Sequence, residues 1–320
     1  MSDNQSKKAR RDAARERARI AREREKARRR RNRVFLTSSI IVVALAIVTV
    51  ITLIVVNASG PAGPGPKNMA SDGILLHGNG STITAVRTPA VPANGKPTAT
   101  SQNNSDGIAH ITIYEDYMCP YCNQFETANM TQIKQWVKSG SATLELHPFN
   151  LLDASSLGTK YSSRATNAAA CVANYQPDAF LAVNQAFYKN QPQEGTKGLT
   201  DAQIVSLVQK AGATDSNIPK CITSGRFRSW VAAETTRVLN DPIPNSNLPK
   251  VTGTPTVLVN GKQYGTTAAQ SLTDPSAFAA FVEATVGAAP KGTPSPSASS
   301  TASPSASSSA SATPSATPSS

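Results

Sequence analysis

The sequence predicts one folded α/β domain between an apolar N-terminal segment and a polar C-terminal tail. Between residues 107 and 289, short β-prone runs alternate with helical patterns, as layered α/β folds require. Residues 34–56 carry no charge and have the length of a transmembrane helix. Of the last 30 residues, 28 are Ser, Ala, Thr or Pro, so we expect residues 290–320 to be disordered.

The positive charge of the chain is concentrated at its N-terminus. The 320 residues carry a formal net charge of +12, and residues 1–33 hold 15 Lys or Arg against 5 Asp or Glu. The remainder is close to neutral, which argues against a nucleic-acid-binding domain. We expect residues 1–33 to form a basic cytoplasmic segment that meets anionic lipid.

The apolar run 34–56 predicts a single membrane crossing. Its 23 residues would span about 34 Å as a helix, which is enough for a bilayer core. Five arginines within residues 28–33 precede the run, so the N-terminus should stay in the cytoplasm and the remainder should lie outside. A cleavable signal peptide has a shorter apolar stretch of about 7–15 residues, so we predict an uncleaved anchor in the plasma membrane.

Residues 57–106 are rich in Gly, Pro, Asn, Ser and Thr and predict an extended linker. Its one apolar cluster, Ile74 to Leu76, could dock on the folded domain. Within 107–289 the patterns predict, in order, a strand (110–115), a helix (120–138), a strand (142–148), a helical insertion (157–240), two strands (255–260 and 262–265) and a helix (273–286).

The sequence Cys119-Pro120-Tyr121-Cys122 stands between a β-prone run and a helical pattern. This places Cys119 at a helix N-terminus, where unpaired N–H groups and the helix dipole stabilise a thiolate, the reactive form of cysteine. Pro120 suits the first helical turn, which does not need its N–H. The spacing brings Cys122 back towards Cys119, so the two can form a disulfide.

A zinc site and an inert structural bridge are the alternatives for this pair. Structural zinc sites usually have a second paired motif, whereas Cys171 and Cys221 are isolated and the three histidines show no ligand spacing. We therefore predict a redox-active pair without a metal or another cofactor, and the inert bridge stays open as an alternative.

A second motif, Gly253-Thr254-Pro255, precedes a β-prone run that ends in Asn260-Gly261. Asn-Gly between two such runs predicts a tight hairpin. Pro255 is tolerated at a strand start because its missing N–H falls outside the ladder. From the residues alone, the Thr254–Pro255 bond is expected to be trans.

Together, Cys-Pro-Tyr-Cys-Asn-Gln-Phe-Glu, the helical insertion and Gly-Thr-Pro-Thr-Val-Leu-Val-Asn-Gly resemble the DsbA-like branch of the thioredoxin superfamily. The resemblance covers roughly residues 107–289 and is greatest to membrane-anchored extracytoplasmic actinobacterial forms. It implies a thioredoxin-like fold in which Pro255 is cis and faces the cysteine pair. It also implies that Cys119 is the nucleophile, Cys122 is the resolving cysteine, and Thr254 offers its backbone to a substrate peptide.

Four positions refine what the resemblance implies. Glu126 matches the family's acid after the motif, and we expect it to relay the Cys122 proton. Many members carry a strand carboxylate six residues before the first cysteine, where this chain has Ile113. Tyr121 replaces the histidine of the strongest oxidants and adds no positive charge, so we expect a less oxidising pair. Thr254 replaces the valine of typical oxidases and is more common among isomerase-type relatives.

The two remaining cysteines lie in helical stretches of the insertion. In an oxidising compartment we expect Cys171 and Cys221 to pair, as in related actinobacterial proteins, although two buried free thiols are an alternative. Such a bridge would close a loop of 50 residues.

The predicted function is a protein thiol–disulfide oxidoreductase whose domain lies outside the cytoplasm and introduces disulfides into exported proteins. By resemblance, a membrane quinone-linked thiol oxidase would reoxidise it; other expected partners are the lipid bilayer and the exported substrates, with no nucleic acid. The alternatives are a reductase or isomerase of the same fold and a non-catalytic, surface-anchored binding protein. Copper delivery is disfavoured because Met118 beside the pair has no histidine to accompany it.

Overall fold

The computed structural model of the chain describes residues 62–287. The predicted basic segment (1–33), the predicted transmembrane helix (34–56) and the predicted disordered tail (290–320) lie outside the described residues. Within the described part, no helix has both the length and the apolar character needed to cross a membrane.

The described residues form a mixed α/β fold around a six-stranded sheet. The strand order is β2-β1-β4-β3-β5-β6, in which β3 and β4 are parallel and every other neighbouring pair is antiparallel. The strands are β1 (Ile74–Gly78), β2 (Ile83–Ala85), β3 (Ala109–Glu115), β4 (Ala142–Pro148), β5 (Thr256–Val259) and β6 (Lys262–Tyr264).

Seven α-helices accompany this sheet in the described residues. They are α1 (Pro120–Ser139), α2 (Tyr161–Tyr175), α3 (Phe180–Lys189), α4 (Asp201–Lys210), α5 (Ile218–Ser224), α6 (Arg228–Asn240) and α7 (Pro275–Val286). Helix α1 makes the crossover that the parallel strands β3 and β4 require. Helices α2 to α6 form the insertion between β4 and β5, and α7 follows β6. This element order confirms the predicted thioredoxin-like α/β fold with a helical insertion.

Strand β3 lies near the centre of the sheet, between β4 and β5. All seven of its residues are buried, as are all four residues of β5. Burial on both faces explains the continuous apolar run of β5, whereas β3 also buries His110, Thr112 and Glu115. Because both active-site motifs adjoin these two strands, the sheet brings the motifs together.

The prediction of a linker over residues 57–106 is wrong for the part that the structure describes. Strand β1 pairs antiparallel with β4, and β2 extends the sheet beyond β1. Ile74 and Leu76 are fully buried in the main core. The folded domain therefore begins well before residue 107.

Polar contacts with distant parts of the chain hold this N-terminal segment in place. Asp72 accepts hydrogen bonds from Arg237 Nε at 2.7 Å and from Trp230 Nε1 at 3.0 Å, both on α6. Thr100 donates to Glu145 Oε1 on β4 at 2.6 Å. Local composition predicts a linker here because it does not reveal these partners, which are distant in sequence.

The insertion is braced by a disulfide between Cys171 on α2 and Cys221 on α5, with an S–S distance of 2.03 Å. This is the pairing expected from the sequence. Both cysteines are buried, so the bond lies within the packed helices rather than at the surface.

Candidate active site

Cys119 lies immediately before α1, where strand β3 has ended and the helix begins. Its backbone is extended, with φ of −76° and ψ of 117°, and Pro120 is the first helical residue. The N–H groups of the first turn have no acceptor within the helix and are available to the Cys119 sulfur. The structure thus places the predicted pair at the helix N-terminus that the sequence indicated.

The loop before β5 faces both cysteines. Cys119 Sγ donates a hydrogen bond to the carbonyl oxygen of Thr254 at 3.2 Å, and Cys122 Sγ lies 2.8 Å from Thr254 Oγ1. The Thr254–Pro255 bond is cis, which corrects the trans form expected from the residues alone and agrees with the resemblance. Both cysteines are free thiols, with only 3% and 2% of their surface exposed.

The two thiols have opposite pKa shifts. The hydrogen bond from the Cys122 thiol lowers the pKa of Cys119, and the N–H groups of Cys122 and Tyr121 add to this effect, while burial opposes it. Burial raises the pKa of Cys122 well above its ordinary value, and the neighbouring Cys119 raises it further. Of the two thiols, Cys119 is therefore the one whose surroundings favour the thiolate.

Two glutamates lie in the interior near the pair. Glu126 stands one helical turn after Cys122, and burial raises its pKa to about 8. Both of its carboxylate oxygens are buried without a hydrogen-bond partner among the described residues. At the end of β3, burial and the neighbouring Glu126 raise the pKa of Glu115 well above its ordinary value. Near neutral pH the Glu126 carboxyl is therefore mostly protonated, and the surroundings of Glu115 also favour its neutral form.

Glu115 is a site residue that sequence reasoning missed. The resemblance places a strand carboxylate at position 113, where this chain has isoleucine, whereas the structure buries a carboxyl two residues later, close enough to Glu126 for the two to affect each other's pKa. The available indication in the sequence was the pair of consecutive acids, Glu115 and Asp116, between the β-prone run and Cys119. Charged residues are seldom buried without a functional or structural reason.

The second of these acids, Asp116, secures the loop that leads to Cys119. It is fully buried and accepts hydrogen bonds from Met118 N at 2.8 Å, Leu152 N at 2.8 Å and Ser162 Oγ at 2.7 Å. Burial raises its pKa to about 7, although these three hydrogen bonds favour the ionised form. The side chain therefore ties the loop to the helical insertion.

The surface beside the pair includes one large exposed ring. Tyr121 is 59% exposed, and the only other large hydrophobic residue exposed among the described ones is Leu157. Within residues 62–287, no group of three or more His, Cys, Asp or Glu side chains could hold a metal ion. The arrangement has the parts that thiol–disulfide exchange needs: a low-pKa thiol, a second thiol within reach and a backbone acceptor beside them.

Comparisons with known proteins point in the same direction. A family model described as Thioredoxin matches residues 86–284. The reduced form of DsbA from Mycobacterium tuberculosis is 29% identical with a TM-score of 0.50, and the match covers 68% of this chain and 94% of that one. DsbG from the same organism is 31% identical with a TM-score of 0.48, and the match covers 60% and 83%.

Curated proteins also include similar sequences. The serine/threonine-protein kinase PknE of Mycobacterium tuberculosis is 33% identical over 119 residues, which is 36% of this chain. The matched region spans only 21% of the kinase, so the chain corresponds to about a fifth of the length of these curated relatives.

Proposed function

Because the chain belongs to the thioredoxin family whose model spans residues 86–284, we propose that it is an extracytoplasmic thiol–disulfide oxidoreductase that introduces disulfides into exported polypeptides. The observation that carries this proposal is the arrangement of Cys119 and Cys122, whose pKa shifts are opposite, against Thr254 of a cis-proline loop. A low-pKa thiol is a good leaving group, and a buried partner thiol within reach can close the disulfide.

In the oxidase direction, a substrate thiolate attacks the sulfur of Cys119 in the Cys119–Cys122 disulfide. The disulfide breaks, Cys122 leaves and takes up a proton, and a mixed disulfide joins Cys119 to the substrate. A second substrate thiolate attacks the substrate sulfur of this bond and expels Cys119 as a thiolate. Two electrons pass from substrate to enzyme, and a membrane quinone-linked thiol oxidase would accept them.

Thr254 and Glu126 support these steps in different ways. The Thr254 carbonyl, which accepts from Cys119 in the reduced state, becomes available to a substrate backbone once that thiol is bonded. Glu126, with a pKa of about 8, is mostly protonated at neutral pH and can supply the proton that Cys122 takes up. The same carboxyl takes that proton back when Cys122 attacks during reoxidation.

Glu126→Gln tests this proton relay. We expect attack by Cys122 on a mixed disulfide between Cys119 and glutathione to be slower by about tenfold or more. In the native protein this rate should rise with pH through about 8 as Glu126 ionises, and the variant should lose that inflection. Rapid acid quenching followed by mass spectrometry follows the step. An unchanged pH profile would remove Glu126 from the mechanism.

The same variant should alter stability in a predictable direction. A carboxyl whose pKa is raised on folding stabilises the folded state fully when the pH is below its ordinary pKa. This contribution is lost as the pH rises through the folded-state pKa of about 8. Glu126→Gln should therefore melt above the native protein at pH 8.5 and show less pH dependence between about 4.5 and 8. Glu283→Gln, at an exposed helical position, is the matched control and should change neither property.

We also propose that residues 34–56 anchor the domain outside the cytoplasm, with residues 1–33 inside. The charge asymmetry supports this topology, and the Cys171–Cys221 disulfide fits an oxidising compartment. Labelling of single introduced cysteines at the two ends by a membrane-impermeant maleimide would test it. Labelling at the N-terminal end in intact cells would contradict the topology.

The direction of electron flow has a specific alternative. Tyr121 adds no positive charge beside Cys119, and Thr254 Oγ1 contacts Cys122, which together favour a less oxidising pair and hence reductase or isomerase activity. Full-length protein in detergent should restore activity to reduced ribonuclease when oxidised, and should reduce insulin slowly. Rapid insulin reduction without ribonuclease oxidation would favour the reductase, and inactivity in both assays would favour a non-catalytic binding protein.

A further inference from the structure

Gln191 lies just after α3, in the helical insertion, and its side chain reaches the loop of the reactive cysteine. Its Nε2 donates to the carbonyl oxygen of Cys119 at 2.9 Å and to that of Tyr117 at 3.2 Å. The Cys119 carbonyl also accepts the first hydrogen bond of α1, from Asn123 N at 3.2 Å. One amide from the insertion thus holds two peptide groups of the loop.

A second amide fixes the orientation of the first. Asn123 Nδ2 donates to Gln191 Oε1 at 3.1 Å and to the Tyr188 carbonyl at the end of α3 at 3.1 Å. Because the oxygen of Gln191 accepts from Asn123, its NH₂ group must face the carbonyls of the loop. The two side chains form a bridge between the first turn of α1 and the end of α3.

Further contacts hold the same loop from the same side. The Asp116 carboxylate accepts from Leu152 N and Ser162 Oγ, at the start of the insertion, and Tyr117 OH donates to Asn184 Oδ1 on α3 at 2.8 Å. The loop that carries Cys119 is therefore held by the insertion as well as by the strand and helix that flank it.

We propose that Gln191 is a positioning residue through which the helical insertion holds the backbone of Cys119 and so sets the reactivity of its sulfur. This inference rests on the proposed function and adds to it a residue that acts through the backbone and not on the substrate. The Cys119 sulfur receives N–H groups from Tyr121 and Cys122, so a fixed Cys119 carbonyl keeps the sulfur aligned with these donors.

The consequence is a measurable shift in the thiol chemistry. Without the Gln191 amide the loop relaxes and the N–H groups stabilise the Cys119 thiolate less. The reduced form of the pair is then less stable relative to the disulfide. Since an amide hydrogen bond is worth roughly a three- to tenfold change in an equilibrium, we expect the pKa of Cys119 to rise by about half to one unit. The equilibrium with glutathione should shift by a similar factor towards a less oxidising pair.

The experiment uses full-length protein in detergent and two variants. Gln191→Leu removes the amide. Gln191→Glu places an acceptor against two carbonyl oxygens and a negative charge near Cys119, so the pKa of Cys119 should rise in this variant by at least as much as in Gln191→Leu. The pH dependence of Cys119 alkylation by iodoacetamide, read by peptide mass, gives the pKa. Equilibration with glutathione buffers gives the redox equilibrium.

Asn190→Ala is the matched control, because this neighbouring amide donates to Ala186 O within α3 and should leave both readings unchanged. The proposal would be overturned if folded Gln191 variants had the native pKa of Cys119 and the native redox equilibrium with glutathione, whatever their melting temperature. If Gln191→Leu does not fold, Gln191→Met, which has nearly the same shape and removes the amide without adding a charge, decides the question in the same way. The alkylation reading needs no turnover, so a native protein inactive on ribonuclease would refute the proposed function and leave this test intact.

Discussion

Cys119→Ser is expected to abolish thiol–disulfide exchange, whereas Cys122→Ser is expected to accumulate covalent adducts with substrate polypeptides. We expect different roles because the pKa of Cys119 is lowered and that of Cys122 is raised. Loss of Cys119 removes the thiol whose surroundings favour the thiolate and with which we expect substrate to bond. In Cys122→Ser the Cys119 thiolate can still attack a disulfide of a substrate polypeptide, which forms the mixed disulfide and releases the other substrate sulfur as a thiolate. No internal thiol then attacks the new bond, so the adduct accumulates.

Non-reducing electrophoresis of protein from intact cells measures both outcomes. Cys122→Ser should give higher-mass species that disappear on reduction, and the double variant Cys119→Ser, Cys122→Ser should give none. We expect residual activity of Cys119→Ser in ribonuclease oxidation to be at the uncatalysed level. Adducts on Cys119→Ser in place of Cys122→Ser would reverse the two roles, and adducts on neither would remove both cysteines from the chemistry.

Replacing Cys171 and Cys221 together by alanine is expected to have the largest effect on stability. The bridge closes a loop of 50 residues, and the chain-entropy relation gives about 4 kcal/mol for a loop of that size. For a domain of about 200 residues this corresponds to a fall in Tm of about 10 °C. The bridge joins α2 to α5, so its loss should loosen the insertion first.

Thermal unfolding of full-length protein in detergent, followed by circular dichroism, measures the change. The native protein under reducing conditions that open the bridge should approach the melting temperature of the double variant. Below its melting temperature, the variant should retain the arrangement of Cys119 and Cys122, because these residues lie at the start of α1 and not on α2 or α5. An unchanged Tm would show that the bridge contributes little to the stability of the insertion.

The features that could be predicted from the sequence are those set by neighbouring residues. Cys119 and Pro120 at a helix start follow from the change between a β-prone run and a helical pattern. The hairpin at Asn260-Gly261 follows from its turn residues, and β5 and β6 pair across it. Through the resemblance over roughly residues 107–289, the motifs also indicated which two parts of the fold meet.

The features that escaped prediction depend on partners far away in the chain. The segment before β3 resembles a linker in composition, yet Asp72 pairs with Arg237, 165 residues later. Glu115 was missed because its burial arises only when helices distant in sequence pack around the end of β3 and bring Glu126, Tyr188 and Asn184 close to it. The contact of Gln191 with Cys119 spans 72 residues and involves a loop with no motif of its own.

The most direct test is the equilibrium redox titration of the Cys119–Cys122 pair, with each thiol trapped by alkylation and identified by peptide mass. We predict a reversible two-electron transition, independent of the Cys171–Cys221 bridge, at a potential well above the roughly −270 mV of thioredoxin and below the roughly −120 mV of DsbA. A pair that does not titrate reversibly, or that titrates at or below about −270 mV, would contradict an enzyme that gives disulfides to exported proteins.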